Sequence, residues 1–114
     1  MDNNQISRQE YVSRILDAYR KTPGTTGKVR PQDRKLADQL YEKLVPLKVV
    51  ENALVLAAAR RLLRPEDAPP LNTIRSLHYF RAVIDEVMTS KMDDEYLLYL
   101  RRKIAAIKTT KAER

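Results

Sequence analysis

The stretch PLKVVENALVLAAARRLL, residues 46 to 63, constrains this chain more than any other. Pro46 can open a helix, and from there to about Leu63 apolar residues occupy nearly the whole circumference. A helix without a broad polar face needs neighbours on several sides, so this segment predicts the centre of a helical bundle. A chain of 114 residues has room for one such core, since a domain of this size buries roughly two-thirds of its unfolded surface. The expected fold is therefore all-α. It is a single compact domain, 1–114, of about five helices around an apolar third one, with residues 1–6 and 109–114 frayed. A hydrophobic fraction of 43% beside 32% charged residues fits a globular chain rather than a disordered one.

The other helices follow from spacing and caps. Ser7-Arg8-Gln9-Glu10 is a capping box, and Tyr11, Val12, Ile15, Leu16 and Tyr19 form one apolar stripe behind it. Pro23-Gly24 ends that helix. Pro31 suits the first turn of a second, from about Gln32 to Lys43, with Leu36, Ala37, Leu40 and Tyr41 inward. In RPEDAPPL, residues 64–71, three prolines forbid a helix and predict a stiff connector. Asn72 or Thr73 can then cap a fourth helix that buries Ile74, Leu77, Phe80, Val83, Ile84, Val87 and Met88. Asp93 caps a fifth, with Asp94 and Glu95 in its first turn and a seam of Leu97, Leu100, Ile104 and Ile107.

Several function classes find little support. With no cysteine, disulfides and thiol chemistry are excluded. His78 is the only histidine, so no histidine pair can hold a metal and no triad is evident. Asp93, Asp94 and Glu95 read as helix-start chemistry rather than a metal cluster. The loop RKTPGTTGKVRP, residues 20–31, has only Thr25 and Thr26 between Gly24 and Gly27, and Val29 follows Lys28. A Walker-type phosphate loop needs four intervening residues, a Ser or Thr after the lysine and a strand before it. Nucleotide binding is not expected there, and no enzyme activity, metal or cofactor is expected anywhere. The second and third helices have the outline of a helix-turn-helix, but where a groove needs polar side chains the third offers Val49, Val50, Ala53, Leu54, Val55, Leu56, Ala57 and Ala58. The polar N-terminus lacks a signal-like apolar stretch and no run approaches a membrane span, so a cytoplasmic location without membrane contact is expected.

Charge is the remaining signal. The net charge is +7, and positive charge gathers at the ends: residues 1–36 hold eight basic and four acidic side chains, residues 101–114 six and one. Such asymmetry speaks of partners, not of fold. The candidate phosphate-contacting residues are Arg20, Lys21, Lys28, Arg30, Arg34 and Lys35 around the glycine loop, with Arg101, Arg102, Lys108 and Lys111 on the last helix. Arg60, Arg61 and Arg64 close the third helix, where basic residues also complement its dipole. Six tyrosines, one phenylalanine and no tryptophan leave base stacking without an evident platform.

In SLHYFRAVIDEVM, Tyr79, Val83 and Val87 recur at intervals of four after a helix pair whose second member is apolar. Residues 33–91 thereby resemble the small C-terminal helical domain of DnaD-type replication-initiation proteins, with Val83 where that family has Ile and Val87 where it has Trp. The resemblance implies DNA binding and contacts to replication partners, through Tyr79, Arg75, Arg81 and the basic C-terminal helix. The expected function is a non-enzymatic nucleic-acid-binding accessory protein of replication or mobile-element biology, gripping phosphates with its basic ends. DNA is placed ahead of RNA. The alternative is an assembly subunit whose basic ends dock on an acidic partner protein, within a larger complex. Strand form, sequence preference and oligomeric state stay open.

Overall fold

The structure, a computed structural model, describes the backbone of residues 6–90 and 94–112 and the side chains of 6–90 and 95–106. Among these residues the chain forms five α-helices: α1 (Arg8–Lys21), α2 (Pro31–Glu42), α3 (Leu47–Leu62), α4 (Arg81–Thr89) and α5 (Asp94–Ala112). A 3-10 turn, Leu77–Phe80, leads into α4. The all-α expectation holds. Of the expected frayed ends, residues 1–5, 113 and 114 lie outside the described residues, and α5 is helical through Ala112.

Ser7 caps α1 as its sequence predicts, its Oγ accepting the Glu10 backbone N–H at 3.1 Å. The stripe Tyr11, Val12, Ile15, Leu16 and Tyr19 is buried throughout. Pro31 is the first residue of α2, and the helix ends in a left-handed residue, Leu44, at φ 61°. There the Val45 N–H returns to Leu40 O at 3.1 Å, the closure that usually places glycine at the left-handed position. Leu44 itself is 84% exposed. The Tyr11 hydroxyl donates to Val45 O at 2.6 Å and ties α1 to this turn, while burial pushes its pKa up to about 12.

Pro46 precedes α3, whose Val50, Ala53, Leu54, Leu56, Ala57, Ala58 and Ala59 are all buried. α3 packs against α1, α4, α5 and the 3-10 turn. Ala53 and Ala57, four apart, share one face of the helix and keep it slim. Around it the core is completed by Leu77, Phe80, Ile84, Val87, Leu97 and Leu100. Tyr19 meets Phe80 edge to face, with ring centroids 6.1 Å apart. Each large apolar side chain so buried contributes about 1.5–3 kcal/mol relative to exposure.

The fourth helix starts later than its periodicity suggests. Neither Asn72 nor Thr73 caps it; residues 71–76 are not helical, and Ile74 pairs with the glycine loop instead. The Ile74 N–H donates to Gly24 O at 2.7 Å and Ile74 O accepts from the Thr26 N–H at 3.0 Å. Ser76 caps the 3-10 turn that leads into α4, its Oγ accepting the His78 N–H at 3.1 Å, and α4 itself has no side-chain cap. Val83 is half-buried and Met88 exposed. On α5, Leu97 and Leu100 are buried and Ile104 half-buried. The expected Asp93 cap and the Ile107 seam side chain lie outside the described residues.

Candidate nucleic-acid interface

The glycine loop is pinned rather than loose. Gly24 and Gly27 carry φ of 93° and 78°, a region side chains rarely enter. A side chain at Gly24 would also meet Arg61 Nε at 3.1 Å. The loop's amides are spent internally: Thr26 N–H donates to Ile74 O, Gly27 N–H to Thr25 Oγ1 at 3.3 Å and Lys28 N–H to Thr26 Oγ1 at 3.2 Å. A phosphate cradle needs such N–H groups free and convergent. In this loop the N–H groups of Thr26, Gly27 and Lys28 are already taken by protein acceptors.

At the start of α2 a fully buried carboxylate organises the region. Asp33 Oδ2 accepts the Arg30 backbone N–H at 2.9 Å, while Oδ1 accepts Ser76 Oγ–H at 3.1 Å and the Leu77 N–H at 2.8 Å. One side chain thus serves the first turn of α2 and the first turn of the 3-10 segment. It brings Arg75, which precedes Ser76, up to the N-terminus of α2. Sequence reasoning missed Asp33, because its partners lie 43 and 44 positions away.

The candidate cations divide by what they touch. Arg20 and Lys21 both bind Asp17, Lys21 Nζ at 3.0 Å. The hydrogen bond from Lys21, reinforced by Arg20, holds the Asp17 carboxyl below its ordinary range. Lys28, Arg30, Arg34 and Lys35 are exposed, and among the described residues none forms an ion pair. The carboxylates of α2 do not neutralise them: Asp33 is buried in its own hydrogen bonds, and Asp38 and Glu42 face Arg8 of α1, at 3.9 and 2.7 Å. Arg75 and Arg81 are likewise exposed without an ion pair among the described residues. Arg81 borders a cleft of about 60 Å³ together with Gln39 and Lys43 of α2. Asp85 lines the same cleft, so the cations without an ion pair gather at the start of α2, at Lys28, Arg30, Arg34 and Lys35.

The arginines closing α3 are differently placed. Arg60 binds Glu86 of α4 with both guanidinium nitrogens, one at 2.9 Å, and this hydrogen bond lowers the Glu86 pKa. Arg61 donates to Asn72 O at 2.8 Å and to the Tyr79 hydroxyl at 3.2 Å, and lies over the Tyr79 ring. Arg64 donates to Pro69 O at 2.8 Å. These three fasten the connector and α4 to the end of α3.

On α5, Arg101 donates to Asn52 Oδ1 at 3.3 Å, and Arg102 and Lys103 are exposed. Lys108 and Lys111 have side chains outside the described residues. Arg101 and Lys21 line one groove of about 560 Å³ between α1, α3 and α5, so the structure joins these two candidates there. α5 packs on α3, whereas α2 packs on α1 and the 3-10 turn, so the two basic ends are carried by different parts of the bundle.

His78 is exposed, and no group of three or more His, Cys, Asp or Glu that could hold a metal occurs among the described residues. No helix among them is long and apolar enough to cross a membrane. No protein-family model, curated protein or solved structure matches the chain.

Proposed function

We propose that this chain is a non-enzymatic nucleic-acid-binding accessory protein that grips the phosphate backbone, DNA ahead of RNA, through the surface around α2. The observation that carries the reading is the unpaired state of Lys28, Arg30, Arg34 and Lys35 beside α2 carboxylates that are all engaged elsewhere. Cations left without partners on a pinned scaffold attract polyanions through counterion release and need no rearrangement to do so. Arg75 and Arg81 are further exposed cations without an ion pair among the described residues. The resemblance of residues 33–91 to the DnaD type adds a setting, replication or mobile-element biology, and points to the same Arg75, Tyr79 and Arg81.

Arg20 and Lys21 contribute less in this reading, since they share Asp17. The test is binding of a labelled duplex and a labelled single strand across a salt series. Phosphate gripping gives a steep linear fall of log affinity with log salt. Negligible nucleic-acid binding even at low salt, together with saturable binding to a polyglutamate peptide, would instead favour docking on an acidic partner protein.

A further inference from the structure

Tyr96 and Tyr99 stand one turn apart on α5, 47% and 51% exposed. Their rings are nearly parallel, 26° between planes with centroids 6.4 Å apart. The same turns of α5 bury Leu97 and Leu100 on α3, so the backbone beneath the two tyrosines is anchored. Single exposed tyrosines are ordinary. An aligned pair on an anchored helix holds two half-exposed rings in a fixed mutual orientation.

Cations adjoin that surface. Lys103 Nζ lies over the Tyr99 ring, 5.8 Å from its centre, a position a base would share or displace, and Arg102, one turn beyond Tyr99, is exposed without an ion pair among the described residues. At the other edge Arg60, near enough to Tyr96 to interact with it electrostatically, holds the Glu86 carboxylate in a two-pronged hydrogen bond. Aromatic faces beside Lys and Arg match the two parts of an unpaired nucleotide, a base with a free face and a phosphate. Bases in a duplex stack on one another and have no face to offer, so the match selects single strands.

We infer that Tyr96 and Tyr99, with Arg102 and Lys103, form a stacking platform for the unpaired bases of a single-stranded nucleic acid. The inference rests on the nucleic-acid reading and adds the form of strand taken and a second binding surface, distinct from α2. Stacking tolerates any base, so sequence preference at this surface is weak.

The test uses three labelled probes with the full chain: a thymidine oligomer, an abasic oligomer of equal length and charge, and a blunt-ended duplex. The parent should bind the thymidine strand about tenfold or more tighter than the abasic strand. The Y96A/Y99A double variant should erase that preference and leave binding of the blunt-ended duplex within about twofold, as expected for a surface that duplex does not use. Y96L/Y99L, which keeps helix propensity and apolar bulk but removes the ring faces, should behave alike, and Y96F/Y99F should restore the preference. With no tryptophan in the chain, quenching of tyrosine emission by the thymidine strand gives an independent signal. Equal binding of thymidine and abasic strands by the parent, or an undiminished preference in both the Ala and the Leu variants, overturns the platform and leaves phosphate gripping standing. Failure of the parent to bind any of the three probes overturns both.

Discussion

Two clusters of positive charge that look alike in the sequence differ in what they do. Arg60, Arg61 and Arg64 at the end of α3 are bound to a carboxylate, two carbonyls and a phenol. Lys28, Arg30, Arg34 and Lys35 at the start of α2 have no such partners among the described residues. The first cluster holds the connector in place. The second is the surface proposed above for phosphate contact. Charge density alone separates neither cluster from the other; the position of acceptors does, and those acceptors come from distant segments. Substitutions in the first cluster and its framework should therefore act on stability, and substitutions in the second on binding.

The largest stability effect in this framework belongs to Asp33. Asp33→Ala leaves the Leu77 and Arg30 N–H groups and the Ser76 hydroxyl without their acceptor, so unfolding in urea should show a loss of about 2–4 kcal/mol. A loss under about 0.5 kcal/mol would mean that Asp33 does not join α2 to the 3-10 turn. Arg61→Ala comes next. It removes the bonds to Asn72 O and Tyr79 and the packing against Gly24, and about 1–2 kcal/mol should be lost with nucleic-acid affinity kept. If Arg61→Ala instead spared stability and weakened binding, the division between the clusters would be misplaced.

Leu44 offers a control outside both clusters, at the far end of α2. Its left-handed backbone is costly for a branched residue and its side chain is 84% exposed, so Leu44→Gly should stabilise by about 1 kcal/mol. Binding should not change. A destabilised Leu44→Gly variant would show that the exposed side chain has interactions worth more than the strain. Acid should also separate the clusters: Glu86 has a lowered pKa from its bond to Arg60, so that contribution is present above the ordinary carboxylate range and lost as pH falls through the lowered value. A Glu86→Gln variant should accordingly lose stability near neutral pH and differ less from the parent in acid.

Much of the fold was legible along the chain, because helices announce themselves locally. The Ser7 cap, the α1 stripe and the apolar circumference of α3 depend on residues a few positions apart. The start of the fourth helix was not legible. Ile74 continues the spacing of Leu77 and Phe80, yet its backbone is taken by Gly24 and Thr26, a pairing that no local pattern discloses. At the site, the pairing of Asp17 with Arg20 and Lys21 could have been foreseen from spacings of three and four. The burial of Asp33 and the alignment of Tyr96 with Tyr99 required the tertiary structure.

The smallest stability effect carries the central claim. K28A/R34A/K35A removes only exposed side chains that form no ion pair among the described residues, so stability should shift by a few tenths of a kcal/mol per site. The decisive measurement is the salt dependence of duplex affinity for this variant beside the parent. If the three cations neutralise phosphates, affinity falls for every sequence tested and the slope of log affinity against log salt becomes shallower by nearly one for each phosphate no longer neutralised, about two to three in all. A folded K28A/R34A/K35A variant that matches the parent in both affinity and slope would contradict the assignment of the α2 surface as the phosphate grip.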